Sequence, residues 1–435
     1  MSSAPDPVEL LRDLLRFDTT NPPGAERACI EHVRELLSAA GVESELYPRD
    51  PERPNLVARL EGSDGGSPLL LYGHVDVVPT AGQQWTHPPF SAEVVDGVVW
   101  GRGALDMKSG VAMMVSAFLR AKAANAVPPG GVVLAVLSDE EAGGEYGAGF
   151  LVQSHPEALA GIQYAFGEVG GVSVPLAGRR LYAIQVTEKR QCHVKATVRG
   201  PGGHAARPLR GGAMARLGRL LRDLDRKRTP VHVTPITRLM IEGMADALPP
   251  KEGFVLRRLL NPRTCDAALR VMREHGRTIE GTLRNTVSPT IVRGGTALNV
   301  IPSELEVEID ARLLPGYGPD DLLSELHEIV GRDVELEVLK ADDEPPATDL
   351  RLFDMLAGVL HELDPEGVPI PMLLPAVTDA RHFARLGIQT YGFMPLRLPT
   401  DFPMHLAHAA DERVPVDAVE FGAEALFRAI ERYPG

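Results

Sequence analysis

Hydrophobic and polar positions in the first third of the chain alternate between the helical and the strand period. Residues 7–16 and 26–40 place apolar side chains at helical spacing, and short apolar runs follow at 68–72, 132–137 and 163–166. Helices that alternate with short buried strands are typical of a parallel sheet covered by helices. The pattern therefore predicts an α/β fold with a mostly parallel sheet.

The middle of the chain has a different pattern. Residues 184–199 and 304–313 alternate apolar and polar side chains, as half-buried antiparallel strands do, and a helical pattern follows each. We therefore predict an inserted α+β domain of the ferredoxin-like kind. The predicted organisation is a first part of the main domain at 1–182, an insertion at 183–345 and a second part at 346–435. Extra helical material at about 239–283 has no predicted role.

Polar residues follow each apolar run of the predicted parallel sheet directly. The segments are Gly73-His74-Val75-Asp76, Ser138-Asp139-Glu140-Glu141 and Gly167-Glu168, and a fourth apolar run at 389–394 precedes a histidine-rich segment at 403–411. In open α/β sheets, ligands bind outside the carboxyl ends of the strands. We therefore expect these polar segments to converge in space.

The residue types on these segments are those that bind zinc, because imidazoles and carboxylates are its ligands and one carboxylate can bridge two ions. Asp106 lies in a glycine-bounded turn at 101–110, which exposes its side chain, so it is the candidate bridge. Glu140 and Glu141 would point in different directions, so one can bind metal while the other acts as a base. Asp76 is placed to orient the imidazole of His74.

These segments together resemble the di-zinc amidohydrolase superfamily of aminoacylase, carboxypeptidase G, acetylornithine deacetylase and succinyl-diaminopimelate desuccinylase. The resemblance extends over nearly the whole chain and rests on 73–79, on 85–110 with its Gly-Arg-Gly-Ala-x-Asp-Met-Lys pattern, and on Asp139-Glu140-Glu141. It implies an amidohydrolase that cleaves an amide bond beside a free carboxylate, in dipeptides or N-acyl amino acids. It also implies a cis peptide between Asp106 and Met107.

The resemblance implies a role for each residue of the expected centre. Glu140 is the general base, Asp106 bridges two Zn²⁺ ions, and the metal ligands are His74, Asp106, Glu141, Glu168 and His408. His408 precedes a short stretch that ends in Glu412, which favours it over His405. Co²⁺ or Mn²⁺ could substitute for zinc, since spacing does not distinguish these ions. Glu168, where other members have Asp, is similar to the yeast carboxypeptidase-S-like branch.

The insertion resembles the lid and dimerisation domain of the same superfamily. His204, in Gly200-Pro201-Gly202-Gly203-His204-Ala205, is implied to reach the active site of the partner subunit and to polarise the scissile carbonyl. Asn299 and Arg312 are implied to hold the α-carboxylate of the substrate, for which the fork of an arginine is well shaped. The resemblance therefore predicts a homodimer in which dimerisation is part of the mechanism.

The composition argues against some binding partners, but it does not identify the reaction. A net charge of -14 argues against nucleic acid, which needs clustered Lys and Arg. The N-terminal segment has no signal-peptide pattern, and no long apolar stretch occurs, so we expect a cytoplasmic protein without a membrane partner. The three cysteines, Cys29, Cys192 and Cys265, are too far apart to suggest a disulfide framework or a cysteine zinc site.

Two alternatives to a peptidase or aminoacylase remain open. A biosynthetic deacylase of the acetylornithine or succinyl-diaminopimelate type would use the same residues. A non-catalytic metal-binding protein could retain the fold, although Glu140, the candidate water-activating base, speaks against it. Glycosidases also use paired carboxylates, but they need no histidine ligands.

Overall fold

The computed structural model describes residues 4–63 and 65–435, which form two compact units. Of the described residues, the first unit contains 4–63, 65–186, 346–372 and 378–435, and the second contains Thr187–Pro345 and Leu373–Val377. Within the described residues, no helix has the length and apolar character needed to cross a membrane.

The first segment of the chain builds most of the first unit. Its elements are α1 (Pro7–Leu15), α2 (Arg27–Ala39), β1 (Ser44–Pro48), β2 (Pro54–Leu60), β3 (Leu69–His74), β4 (Val94–Val95), β5 (Val98–Trp100), α3 (Lys108–Ala123), β6 (Val132–Leu137), α4 (Ala148–Ser154), β7 (Tyr164–Gly167), β8 (Val172–Leu176) and β9 (Arg179–Glu188).

The middle segment builds the second unit, and the last segment returns to the first. The middle elements are β10 (Arg190–Arg199), β11 (Gly203–His204), α5 (Ala213–Arg226), α6 (Pro235–Ala247), α7 (Pro250–Arg257), α8 (Pro262–Met272), α9 (Glu274–Glu280), β12 (Thr286–Gly294), β13 (Val300–Ile301), β14 (Glu304–Leu313), α10 (Pro319–Val330) and β15 (Glu335–Ala341). The last elements are α11 (Phe353–Leu363), β16 (Gly367–Leu374), α12 (Ala380–Phe383), β17 (Gln389–Gly392), β18 (Arg413–Pro415) and α13 (Val416–Arg432).

Nine strands of the described chain form one large sheet, in the order β1-β2-β6-β3-β7-β17-β9-β16 with β8 beside β9. The four central strands β6, β3, β7 and β17 are parallel, and the pairs β1–β2, β2–β6 and β17–β9 are antiparallel. The predicted α/β class with a mostly parallel central sheet is confirmed. Because β6, β3 and β7 run in the same direction, their carboxyl ends lie on the same edge of the sheet.

Helix α3 fixes the position of the turn that precedes it. Its residues are buried almost all round, because α3 lies between α1 and α13 and packs on β3 and β6. At its first residue, the buried ammonium of Lys108 donates hydrogen bonds to the carbonyl oxygens of Leu14 (3.1 Å) and Phe17 (2.8 Å). These two hydrogen bonds tie the start of α3, and with it the turn that precedes the helix, to the end of α1 and the residues that follow it.

The second unit is built on an antiparallel sheet in the order β12-β14-β10-β15. In chain order its main elements are β10, α5, β12, β14, α10 and β15, which is the ferredoxin-like β-α-β-β-α-β arrangement that the sequence predicts. Apolar residues of α5 and α10, such as Leu217 and Leu326, form one core with Val194 and Val307 of the sheet. Helices α6 to α9 are an addition between α5 and β12.

Candidate metal centre

The polar residues that follow the central strands lie close together, as the sheet topology requires. His74 is the last residue of β3, Glu140 and Glu141 follow β6, and Glu168 follows β7. Two ligand groups can be distinguished within this cluster, each of which contains Asp106. They are His74, Asp106 and Glu168, and Asp106, Glu141 and His408.

The first group is centred on the imidazole of His74. Its Nε2 atom lies 3.3 Å from Oδ1 of Asp106 and 3.6 Å from Oε2 of Glu168. Burial lowers the pKa of His74, but hydrogen bonds to Asp106, Asp76 and Glu168 outweigh burial and hold that pKa well above its ordinary value. The carboxylates thus make this pocket strongly attractive to a positive charge.

The second group is centred on His408, which comes from a distant part of the chain. Its Nε2 atom lies 3.1 Å from Oδ2 of Asp106 and 3.2 Å from Oε2 of Glu141. These hydrogen bonds raise the pKa of His408 to about 10. The two carboxylate oxygens of Asp106 therefore face two different histidines, and each histidine has a glutamate of its own.

The chemistry of this donor set fits two divalent cations. Among the described side chains, Oε1 of Glu141 and Oε1 of Glu168 are buried and have no hydrogen-bond partner. Burial removes the carboxylate of Glu168 from water, which disfavours its charged form and raises its pKa. Buried acceptors are normally satisfied, and metal ions are among the groups that satisfy them.

Glu140 lies at the edge of the first group rather than inside it. Its Oε2 atom is 4.0 Å from Nε2 of His74, and burial raises its pKa well above the ordinary value. Glu140 and Glu141 do face different groups, but not because of strand geometry. The strand ends at Leu137, Asp139 has a φ of 71°, and the two glutamates begin a short helical turn.

Asp76 contacts the side of His74 that faces away from the cluster. Oδ1 of Asp76 is 3.3 Å from Nδ1 of His74, and the carbonyl oxygen of Asp76 is 3.0 Å from the same nitrogen. The Asp76 carboxylate also accepts the backbone N–H groups of Glu140 and Glu141, each at 3.1 Å. One buried carboxylate thus orients a candidate ligand and fixes the backbone of both glutamates.

A buried network behind Asp76 was missed in the sequence. The side-chain amide of Asn21 donates to Asp76 (2.9 Å) and to Asp139 (3.1 Å), and Arg53 pairs with Asp139 (2.8 Å) and with Glu26 (2.7 Å). Asn21, Arg53 and Glu26 come from segments that carry no metal-binding pattern. Only the three-dimensional structure shows that they hold the turn after β6.

Glu412 holds the turn that presents Asp106. Its buried carboxylate accepts the backbone N–H groups of Gly103 (3.0 Å), Leu105 (2.7 Å) and Asp106 (3.0 Å) and pairs with the guanidinium of Arg102 at 2.5 Å. The peptide between Asp106 and Met107 is cis, as the resemblance implied. The sequence indicated Glu412 only as the end of the stretch that follows His408.

The loop that carries His408 is fixed by two other contacts. The side-chain amide of Gln83 donates to the carbonyl oxygen of His408 (3.0 Å), and Asp411 accepts both the backbone N–H and the hydroxyl of Thr86 (2.6 and 2.8 Å). His405, the alternative ligand, is exposed and belongs to neither ligand group.

Asp379 is a further carboxylate that the sequence did not indicate. It is buried at the start of α12, and neither of its oxygens has a hydrogen-bond partner among the described side chains. Burial and the negative charge of Glu168 raise the pKa of Asp379 to about 7. In the sequence, Thr378-Asp379 looks like the ordinary start of a helix, and no motif around it indicated a functional role for Asp379.

The three residues predicted to contact the substrate lie in the second unit. His204 and Asn299 are neighbours on an exposed two-stranded ribbon, in which His204 pairs with Val300 and the N–H of Ala205 donates to the carbonyl of Asn299 at 2.9 Å. Arg312, on β14, forms a two-pronged ion pair with Asp310, with both distances at 2.9 Å. Their roles stay predictions.

A family model describes most of this chain. Residues 70–432 match the model of peptidase family M20/M25/M40. The chain belongs to this family. It is therefore a metal-dependent hydrolase of the carboxypeptidase and aminoacylase type, which confirms the reaction class that the sequence predicts.

Two relatives and one solved structure show the range of proteins that the chain is similar to. A probable carboxypeptidase S-like 2 from Dictyostelium discoideum is 29% identical over 83% of this chain and 71% of its own length. A succinyl-diaminopimelate desuccinylase from Paracoccus denitrificans is 29% identical over 100% of both. The M20 metallo-carboxypeptidase Sso-CP2 from Sulfolobus solfataricus has the same fold, with a TM-score of 0.70, 18% identity and 99% coverage of both chains.

Proposed function

We propose that the chain binds two divalent ions, zinc in the native protein, and hydrolyses an amide bond next to a free carboxylate. One observation carries this proposal. The two oxygens of Asp106 face His74 and His408 at 3.3 and 3.1 Å, and each histidine has its own glutamate. A shared carboxylate between two ligand sets is the arrangement that a two-metal hydrolase needs.

We assign to Glu140 the transfer of a proton from the attacking water to the leaving amine. Two bound ions would polarise the substrate carbonyl and make a nearby water molecule more acidic. Glu140 lies beside the ligand groups but is a member of neither, so its carboxylate is free to accept the proton of the attacking water. Its raised pKa lets it keep that proton until the leaving amine takes it.

Asp76 acts by positioning, since it touches no reacting atom. Its contact with Nδ1 of His74 sets the tautomer in which Nε2 is the electron-pair donor. Its carboxylate also accepts the backbone N–H groups of Glu140 and Glu141, which fixes the turn that carries both glutamates. The same residue therefore supports both metal binding and proton transfer.

For the substrate we propose dipeptides or N-acyl amino acids with a free carboxylate. Arg312 and Asn299 are proposed to hold this carboxylate, because the planar fork of a guanidinium fits a carboxylate; the substrate would have to take the place of Asp310, with which Arg312 pairs. His204 is proposed to steady the oxyanion in the active site of a partner subunit, which makes the enzyme a homodimer. The exposed position of the His204 ribbon is consistent with that role.

A biosynthetic deacylase is the second candidate. The full-length similarity to a succinyl-diaminopimelate desuccinylase favours it, and the same centre would serve it. A metal-binding protein without activity is the distant alternative, and the position of Glu140 outside both ligand groups argues against it. The cytoplasmic location stays a prediction.

A substrate panel on the purified enzyme tests the proposed function. Metal-loaded protein is incubated with C-terminal dipeptides, long- and short-chain N-acyl amino acids, N-acetylornithine and N-succinyl-diaminopimelate, with and without a chelator. We expect chelator-sensitive hydrolysis of dipeptides or N-acyl amino acids and none of their amides, which lack the free carboxylate. Preference for N-acetylornithine or N-succinyl-diaminopimelate would establish the deacylase instead, and no hydrolysis of any amide would refute both.

A further inference from the structure

Helix α5 of the second unit carries a row of exposed arginines. Arg216, Arg219, Arg222 and Arg226 follow one another at intervals of three or four residues, which places them along one side of the helix. We call these four residues the arginine stripe. At a rise of about 1.5 Å per residue, the stripe is about 15 Å long.

The charge of the arginine stripe is poorly compensated within the chain. Among the carboxylates whose side chains the structure describes, none forms an ion pair with Arg216, Arg219 or Arg226. Arg222 is 3.6 Å from Asp223, but that aspartate also pairs with Lys227 at 3.3 Å. Like charges at this spacing destabilise a helix, and a cation near the N-terminal end opposes the helix dipole. An external anion would relieve both effects.

A positively charged cleft continues from the C-terminal end of the stripe. It has a volume of about 680 Å³, and its cationic lining residues are Arg226, Lys227, Arg228, Arg270 and Arg284. Asp266, Glu325 and Glu328 also line it, and Asp266 pairs with Arg228 and Arg284, but the five cations outnumber the three carboxylates. A smaller neighbouring cleft of about 290 Å³ adds Arg273 and Arg277. This concentration of arginine contrasts with the net charge of -14 of the whole chain.

The residue types identify the kind of anion. Nearly all the cations are arginines, whose planar fork matches two phosphate oxygens at once. Helix α5 has no aromatic side chain on which a nucleobase could stack. Its leucines Leu217, Leu220 and Leu224 are buried in the core of the unit, which leaves Met214 as the exposed large apolar side chain of the helix, too little to insert into a membrane.

We propose that the arginine stripe and the cleft at its end bind a linear chain of phosphate groups, such as inorganic polyphosphate. The stripe contacts successive phosphates along the helix, and the cleft receives the end of the chain. This assigns a role to part of the helical addition between α5 and β12. It is independent of amide hydrolysis, since none of these arginines takes part in the proposed reaction.

The test is a binding titration of inorganic polyphosphate with the full-length protein at several salt concentrations. The variant replaces all four stripe arginines by glutamine. The control replaces four other exposed helical arginines, each already paired with a glutamate: Arg27, Arg34, Arg238 and Arg432. Thermal melting and amide hydrolysis of each variant show that it is folded, so a loss of binding is not a loss of structure.

We expect the wild-type protein and the control to bind with a steep salt dependence, and the stripe variant to bind at least tenfold more weakly. Because each phosphate contact contributes about 0.7 to the salt slope on a single chain, the stripe variant should lose a slope of about three. Equal binding by the stripe variant, or no binding by the wild type at low salt, would overturn the proposal. So would tighter binding to anionic vesicles or to a single-stranded oligonucleotide than to polyphosphate.

Discussion

The carboxylate of Glu412 accepts a hydrogen bond of 3.0 Å from the backbone N–H of Asp106, although the two residues are 306 positions apart in the chain. The same carboxylate accepts the N–H groups of Gly103 and Leu105 and pairs with Arg102. The presentation of the candidate bridging ligand therefore depends on the segment that also supplies His408. We therefore expect metal binding to depend on this long-range contact.

Glu412→Gln should weaken metal binding without removing a ligand. The glutamine amide offers one acceptor oxygen, and its NH₂ group would face backbone N–H donors, so the turn at Asp106 should shift. Loss of a residue that supports a ligand typically costs about 10–100-fold in metal affinity. Chelator competition measures the change. Glu424→Gln, which alters a half-buried glutamate of α13 paired with Arg120 and Arg428, is the control and should bind metal normally.

Glu140→Gln should separate catalysis from metal binding. Glutamine has nearly the same size but cannot accept the proton of water, so turnover should fall by about 10²-fold or more while the metal content stays that of the wild type. Metal analysis and hydrolysis of the best substrate measure the two effects. The matched control is Glu145→Gln, an exposed residue four positions after Glu141. Wild-type turnover in the Glu140 variant would remove Glu140 from the role of base.

The proposed role of His204 predicts complementation between subunits. His204→Ala and Glu140→Gln should each be nearly inactive as homodimers. In a mixed dimer, one active site has both an intact Glu140 and an intact His204 from the other chain, so part of the activity should return. Hydrolysis by co-refolded or co-expressed variants measures it. No recovery in verified mixed dimers would mean that each active site is completed within one chain.

The buried amine of Lys189 should make the free energy of unfolding depend on pH. Burial, with the nearby charge of Arg312, lowers the pKa of Lys189 to about 7, against an ordinary value of about 10.4. Between about pH 7 and pH 10 the unfolded chain therefore binds a proton that the folded chain does not. Folding stability should rise with pH in this window, by at most about 1.4 kcal/mol per pH unit.

Urea unfolding of the wild type and of Lys189→Met at several pH values tests this expectation. The variant removes the titrating group together with its hydrogen bonds to the carbonyl of Arg284 and the hydroxyl of Thr286, so its overall stability can also change. The informative quantity is the slope of the free energy of unfolding against pH. A smaller rise in the variant supports the lowered pKa, and parallel curves contradict it.

The sequence predicted those parts of the fold that repeat a local pattern. The apolar run at 132–137 and the alternating pattern at 304–313 coincide with β6 and β14, because each pattern can be recognised from the side chains of the strand itself. The antiparallel strands β1 and β2 were missed, as was the division of residues 184–199 between β9 and β10. Pairing direction depends on partners that are distant in the chain, which local periodicity does not encode.

For the candidate centre, the sequence indicated the residues that would touch metal but not those that hold them. His74, Asp106 and Glu168 carry recognisable residue types at strand ends or in a glycine-bounded turn. Asn21 and Arg53 contact Asp76 and Asp139 through a network of hydrogen bonds that no sequence motif indicates. The direction of Glu140 and Glu141 was predicted from strand geometry, whereas a turn after Asp139 sets it. Tertiary contacts determined these features.

The most direct test of the two-metal centre is the metal content of the purified protein and of two histidine variants. We expect two divalent ions per chain in the wild type and in His405→Ala, and a clear loss in His408→Ala. The imidazole of His408 lies within 3.2 Å of both Asp106 and Glu141, whereas His405 belongs to neither ligand group. A wild-type protein that binds no metal, or a His408 variant that binds as much as the His405 variant, would contradict the account.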